Sequence, residues 1–191
     1  SQASFLSIQG LWSGPWLQNV ARLPRNEVAD TLFWVAVAMI CGFIGLGTLV
    51  GKLGKKGIGV VAVAGSVMSL FMTVQFLVIL VPISSGFTLP LWLAFGFFGT
   101  SGIIAYSALS QSFPPALSGR VTTAINLLVF VGAFAGQWAI GAIISLWPVG
   151  PEGELATAGF QAGFGAMLTL QLIALGNFWV AGRKIKAKCS A

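Results

Sequence analysis

The chain holds few groups that can react and many that can only hydrogen-bond. Its 191 residues include four acidic side chains and no histidine. Its two cysteines, Cys41 in an apolar run and Cys189 in a basic tail, have no metal-site or disulfide spacing. No Walker phosphate loop and no nucleophile–base pair is present, so no catalytic residue, metal or cofactor is expected and the chain does not read as an enzyme. What remains is a set of neutral polar residues inside apolar runs: Gln9, Gln75, Tyr106, Asn126, Gln137, Gln171 and Asn177. Such groups are costly in lipid and normally face a cavity or another helix. Asn126 and Gln137 stand eleven residues apart, about three turns, and share one helix face. A second feature is the basic stretch containing Gly47, Gly51, Lys52, Gly54, Lys55 and Lys56. Gly47 and Gly51 are expected to let two helix backbones approach, and Gly54 to make a tight turn. The lysines suit lipid phosphates or the C-terminus of a neighbouring helix. Arg120 is either a lipid-facing anchor or a gate residue.

These residues need elements to hold them, and composition says where those elements lie. The chain is 57% hydrophobic and 7% charged. Soluble domains carry about 25% charged residues, so a water-exposed globule is excluded. The net charge of +6 lies in clusters between apolar runs, which reads as membrane topology and gives no sign of nucleic-acid binding. About 20 apolar residues span a bilayer as a helix. Six segments are expected, at 1–20, 28–50, 58–81, 89–112, 119–146 and 156–182. Their unbroken apolarity, without alternation, makes them helices and not barrel strands. The fold class is therefore an all-α integral membrane protein, with residues 1–191 as one domain.

Within that frame Gly14-Pro15 predicts a kink, Pro82 ends the third segment and Ser118 caps the fifth. Trp12, Trp16, Trp34, Trp92, Trp147 and Trp179 lie toward segment ends, as an interfacial belt would. Lys52, Lys55, Lys56, Arg120, Arg183, Lys184, Lys186 and Lys188 fall on one side. Arg22 and Arg25 fall on the other, with Glu27, Asp30, Glu152 and Glu154. The positive-inside rule makes the first side cytoplasmic, with both chain ends on it. Gly132/Gly136 and Gly159/Gly163 have the spacing of close helix packing. Gly14-Pro15, Gly99 and Gly102 are expected to be bending points. Apart from Asp30 at the start of the second segment, no Asp, Glu or His lies within a span, so a proton relay has no titratable group at membrane depth here.

The Gly47–Lys56 stretch resembles the repeated loop motif of the major facilitator superfamily: glycine, three residues, an acidic residue or glycine, a basic residue, any residue, glycine, then basic residues. Gly51 takes the acidic position. The run from Ser7 to Leu17 is similar to the seventh helix of bacterial members, and Phe113-Pro114 with Gly119, Arg120 and Asn126 resembles their junction between the tenth and eleventh helices. The resemblance covers the chain as a carboxy-terminal six-helix half with a truncated first helix. Ser1 in place of methionine fits a piece of a longer protein. The resemblance implies transport of a small solute by alternating access, in a bilayer, with a missing N-terminal six-helix half as partner. It implies a bacterial inner membrane and a cytoplasmic C-terminus. Because first, second, fourth and fifth helices line the pathway in this family, it points to Gln9, Trp12, Tyr106, Asn126 and Gln137 as pathway residues. Gln75, Gln171 and Asn177 are left as interhelical bonds. A non-transporting assembly or sensor protein on the same scaffold is the alternative; a membrane enzyme would need titratable pairs that the chain lacks.

Overall fold

The computed structural model describes residues 1–80, 85–104, 106, 113–151 and 153–189. Pro82, residues 107–112 and Glu152 lie outside the described residues, as do the side chains of Trp179, Arg183, Lys184, Lys186 and Lys188. Every element among the described residues is helical. The chain begins with α1 (Gln2–Ser7), a π-turn (Ile8–Trp12) and α2 (Ser13–Asn19), which together form one interrupted rod. Then follow α3 (Arg25–Lys55), α4 (Val60–Leu80), α5 (Ser85–Gly99), α6 (Pro115–Ile144) and α7 (Thr157–Cys189). Five helices are long and apolar enough to cross a membrane: Arg25–Lys55, Val60–Leu80, Gly86–Ile104, Ala116–Ile144 and Thr157–Asn177. This is a helical membrane protein. The first rod, expected as a sixth span, is not among the five.

The sequence explains each interruption. Pro15 cannot donate to the carbonyl of Leu11, and its ring presses on that carbonyl. The π-turn sits immediately before α2 and widens the backbone there. At the other boundary, α3 opens after extended Pro24 with Glu27 in its first turn and closes with Lys52 and Lys55 in its last, each favourable to the helix dipole. Its end corrects one expectation. Gly54 remains helical, and the left-handed residue is Gly57, with φ of 81°. The Gly57 N–H donates to the Gly54 carbonyl at 3.0 Å and Ile58 N–H to the Leu53 carbonyl at 3.1 Å, a Schellman ending. Ser118 likewise does not cap: α6 starts at Pro115, where a missing N–H costs nothing.

Counting the split helix as the first rod, the first packs on the fifth (α6), the second (α3) on the fourth (α5), and the third (α4) on the sixth (α7). Exchanging the first three rods for the last three turns the first–fifth pair into the fourth–second pair and leaves third–sixth in place. The third–fourth and fifth–sixth contacts have slighter counterparts in first–sixth and second–third. Among the described residues the first–second contact has no counterpart of similar weight.

Small residues set these contacts. A Cβ on Gly42 would stand 2.5 Å from the Phe97 carbonyl oxygen, and one on Gly96 would stand 2.8 Å from Val35. On the equivalent pair, Gly132 faces Ala3 and Gly136 faces Ser7. Gly159 and Gly163 seat α7 against Ile144 and Ile140. Gly47 and Gly51, expected at such an approach, have open space around them, because α3 turns that face away from the bundle. The core gathers Phe5, Phe71 and Phe95 at centroid distances of 5.1–5.8 Å. Trp16 and Trp92 join it 5.2 Å apart. These two tryptophans are buried in the bundle and do not belong to the interfacial belt. Trp34, by contrast, is exposed.

Gly42→Val should therefore wedge α3 from α5, costing about 1–3 kcal/mol. Gly47→Val should be almost silent. Paired thermal unfolding midpoints in detergent check this, and equal midpoints for the two variants would contradict the packing.

Candidate functional site

The four rods that carry the close pairs leave a cleft between them at the end of the bundle where α3 and α5 finish and α6 begins. It has a volume of about 370 Å³ and is lined by Gln2 and Leu6, Phe43, Ile103 and Tyr106, and Thr122, Asn126, Val129 and Phe130. The first rod thus supplies one wall, α3 and the residues following α5 a second, and α6 a third. The helical segment after α5 resumes at Gly102 beyond a turn at Thr100 and Ser101 and presents Ile103 and Tyr106. On α6, Thr122 Oγ1 donates to the Ser118 carbonyl at 3.0 Å, and Asn126 lies one turn further. Gln2 seats its carboxamide against Gly102, where any side chain would collide. Its Oε1 is buried and receives no hydrogen bond.

Tyr106 and Asn126, expected on the pathway, therefore share one cleft. Trp12 and Gln137 meet farther along the same first-rod–α6 seam, and Gln9 lies on the first rod one turn before Trp12. Trp12 Nε1 donates to the Gln137 carbonyl at 3.0 Å, and the Trp12 ring packs edge-on to Phe160 at 6.2 Å. Gly10 lets the Gln137 amide approach, a Cβ there being 3.3 Å from Nε2. Gln9 Oε1 is buried with no donor. Ser7 Oγ, within 2.8 Å of the Ala3 carbonyl and 2.9 Å of the Ala133 carbonyl, ties the seam between the two groups. Trp12 thus spends its one polar group on α6, while Gln9 keeps an acceptor to spare. Sequence reasoning missed Gln2 and Thr122. Gln2 stands seven residues before Gln9, two turns on the same face, and that spacing was the available signal.

The other candidates lie apart from the cleft. Lys52, Lys55 and Lys56 are exposed at the end of α3, together with Gly47, Gly51 and Gly54, and so form a helix terminus rather than a loop. Arg120 is exposed early in α6, at the same end of the bundle but outside the lining. Arg22, Arg25, Glu27, Asp30 and Glu154 occupy the opposite end, where Asn19 Oδ1 accepts the Leu155 N–H at 2.8 Å. Gly99 and Gly102 are not free bending points: Phe5 and Gln2 fill the space beside them. Gln75 and Gln171 are fully buried between α4 and α7. Gln171 Nε2 donates to Gln75 Oε1 at 2.8 Å, and Gln75 Nε2 to the Phe164 carbonyl at 3.1 Å. Asn177 is exposed near the end of the span and takes no part in that bond.

Comparison with family models, with curated proteins and with solved structures finds no match.

Gln171→Leu should leave the Gln75 amide half-paired in a dry contact. A Gln75→Leu/Gln171→Leu double-mutant cycle should give a coupling of about 0.6–2 kcal/mol, read by unfolding in detergent. Strict additivity would contradict the bond.

Proposed function

We propose that this chain is the C-terminal six-helix half of a secondary transporter of the major facilitator type, carrying a small solute across a membrane by alternating access. The observation that carries the reading is the exchange relation of the rods. In this reading the first rod also crosses, each triplet then holds three crossings, and exchanging triplets relates elements of opposite direction, the inverted-repeat plan of such transporters. The cleft lies among the first, second, fourth and fifth rods, and its polar lining includes Tyr106 and Asn126.

The least covered helices are α3 and α6, with 17% and 22% of their apolar windows buried, against 44% for α4. Both border the cleft. A second six-helix half docking there would cover part of this apolar surface and close the solute site from the other side; lipid would cover the remainder. The basic end, with Lys52, Lys55, Lys56 and Arg120, is cytoplasmic in this reading, and so is the C-terminus. The work is done by binding and by rocking of two bodies, with no covalent step. The carboxylates of the described spans, Glu27 and Asp30, stand in the first two turns of α3, at the end away from the basic terminus and outside the cleft lining, so in this reading a coupling proton at the cleft is carried by the partner half.

The test is a single cysteine at Asn126 in a Cys41→Ser/Cys189→Ser background of the full-length protein. Alternating access predicts labelling by a membrane-impermeant thiol reagent from either side of oriented vesicles. Prior labelling from one side should abolish labelling from the other. Access from one side only would favour a static assembly or sensor protein.

A further inference from the structure

The chemistry of the cleft wall defines what it can hold. Among the described residues nine line the cleft, and four of these hydrogen-bond without charge: Gln2, Tyr106, Thr122 and Asn126. The other five, Leu6, Phe43, Ile103, Val129 and Phe130, are apolar, and two of them are aromatic. No charged side chain stands among the lining, and the sequence holds none close behind it. The chain carries no Asp, Glu, Lys, Arg or His from residue 1 to 21, from 31 to 51, from 57 to 119 or from 121 to 151. Every segment that builds the cleft lies within those runs. Arg120 is six residues before Asn126, which sets it on a different face of α6.

A charged solute group would leave water here for a wall that offers no counter-charge, a transfer of high cost. Neutral hydroxyl and amide groups lose only hydrogen bonds that Asn126, Thr122, Tyr106 and Gln2 can replace. Phe43 and Phe130 offer aromatic surface to an apolar body. A volume of about 370 Å³ suits a molecule of modest size.

We propose that this cleft selects an uncharged amphipathic solute, with hydroxyl or amide groups against α6 and the first rod and an apolar ring against Phe43 and Phe130. The proposal rests on the transport reading of the cleft. It assigns the solute class to this half, so that a partner half contributes energy coupling and not charge recognition of the solute.

Three probes of similar size separate the cases: phenyl β-D-glucoside (neutral), phenyl β-D-glucuronide (anionic) and phenyl 6-amino-6-deoxy-β-D-glucoside (cationic). Each is added at millimolar concentration to the full-length protein in detergent, and unfolding is followed by tryptophan fluorescence. The glucoside should raise the midpoint by a few degrees, since a ligand stabilises the state that binds it. The two ions should not. Asn126→Leu and Thr122→Val, made separately, should each reduce the glucoside shift at least several-fold. An equal or larger shift with either ion overturns the proposal. So does a glucoside shift that survives both variants, or no glucoside shift at all. Counterflow in liposomes tells this apart from failure of the transport reading. Glucoside binding without counterflow keeps the solute class and sinks transport. Counterflow of an ion but not of the glucoside keeps transport and sinks the class.

Discussion

In a bilayer an apolar side chain gains nothing by leaving lipid for another helix, so the rods of this protein must be held by fit. The fit on which the rest depends is the approach of α3 to α5 through Gly42 and Gly96. Its equivalent is the approach of the first rod to α6 through Gly132 and Gly136. These two contacts fix the fourth and first rods side by side. Phe5 then falls against Gly99 and closes the aromatic core with Phe71 and Phe95, and Gln2 falls against Gly102. The cleft is the room left where the same four rods diverge at the basic end. Its polar lining is therefore a consequence of backbone packing several turns away.

Polar groups inside the bundle divide by what they have already bonded. Gln75 and Gln171 bond each other and nearby carbonyls, and Trp12 bonds the Gln137 carbonyl. Those groups hold third to sixth and first to fifth, replacing pure apolar contact with a directional link at positions where a slipped register would leave an amide unpaired. Gln2 and Gln9 are different. Each keeps a buried acceptor without a donor; both lie on the first rod, Gln2 with its carboxamide against Gly102. Thr88 Oγ1, Trp92 Nε1 and Gln171 Oε1 are likewise buried without a partner, so unmet groups occur on the outer helices as well as on the first rod.

The spans were legible because hydropathy is local: α3, α4, α6 and α7 follow runs of apolar residues that any ordering of the bundle would preserve. Tyr106 and Asn126 were legible as polar residues in such runs. What sequence could not give is long-range. Three glycines, Gly54, Gly57 and Gly59, compete to end α3, and the choice falls on the one that lets Ile58 reach back to the Leu53 carbonyl. Trp16 and Trp92 have the composition and position of a belt, yet they pack on each other across 76 residues of chain. Gln2 gains its place from Gly102, a residue a hundred positions away, and its spacing to Gln9 gives its face but not that partner.

The covered glycines also bear on how such a bundle would move. The first and fourth rods are equivalent under exchange of triplets, and both are interrupted, one at the π-turn of Ile8–Trp12 and the other at Thr100–Ser101. Phe5 and Gln2 lie in the notches of Gly99 and Gly102, so the first turns of one rod are keyed into the end of the other. A shift of the segment beyond Thr100 cannot leave Gln2 behind; it carries Gln2 and Tyr106 together. Asn126, Thr122 and Phe130 belong to α6, which is uninterrupted from Pro115 to Ile144. Gly42 also faces Thr100, inside the fourth rod's break, and Gly132 and Gly136 of α6 hold Ala3 and Ser7 on the first rod before its π-turn, so flexing at either interruption would have to carry these glycine contacts with it. The interruptions matter as boundaries of that keyed unit, and the glycines beside them matter for the key.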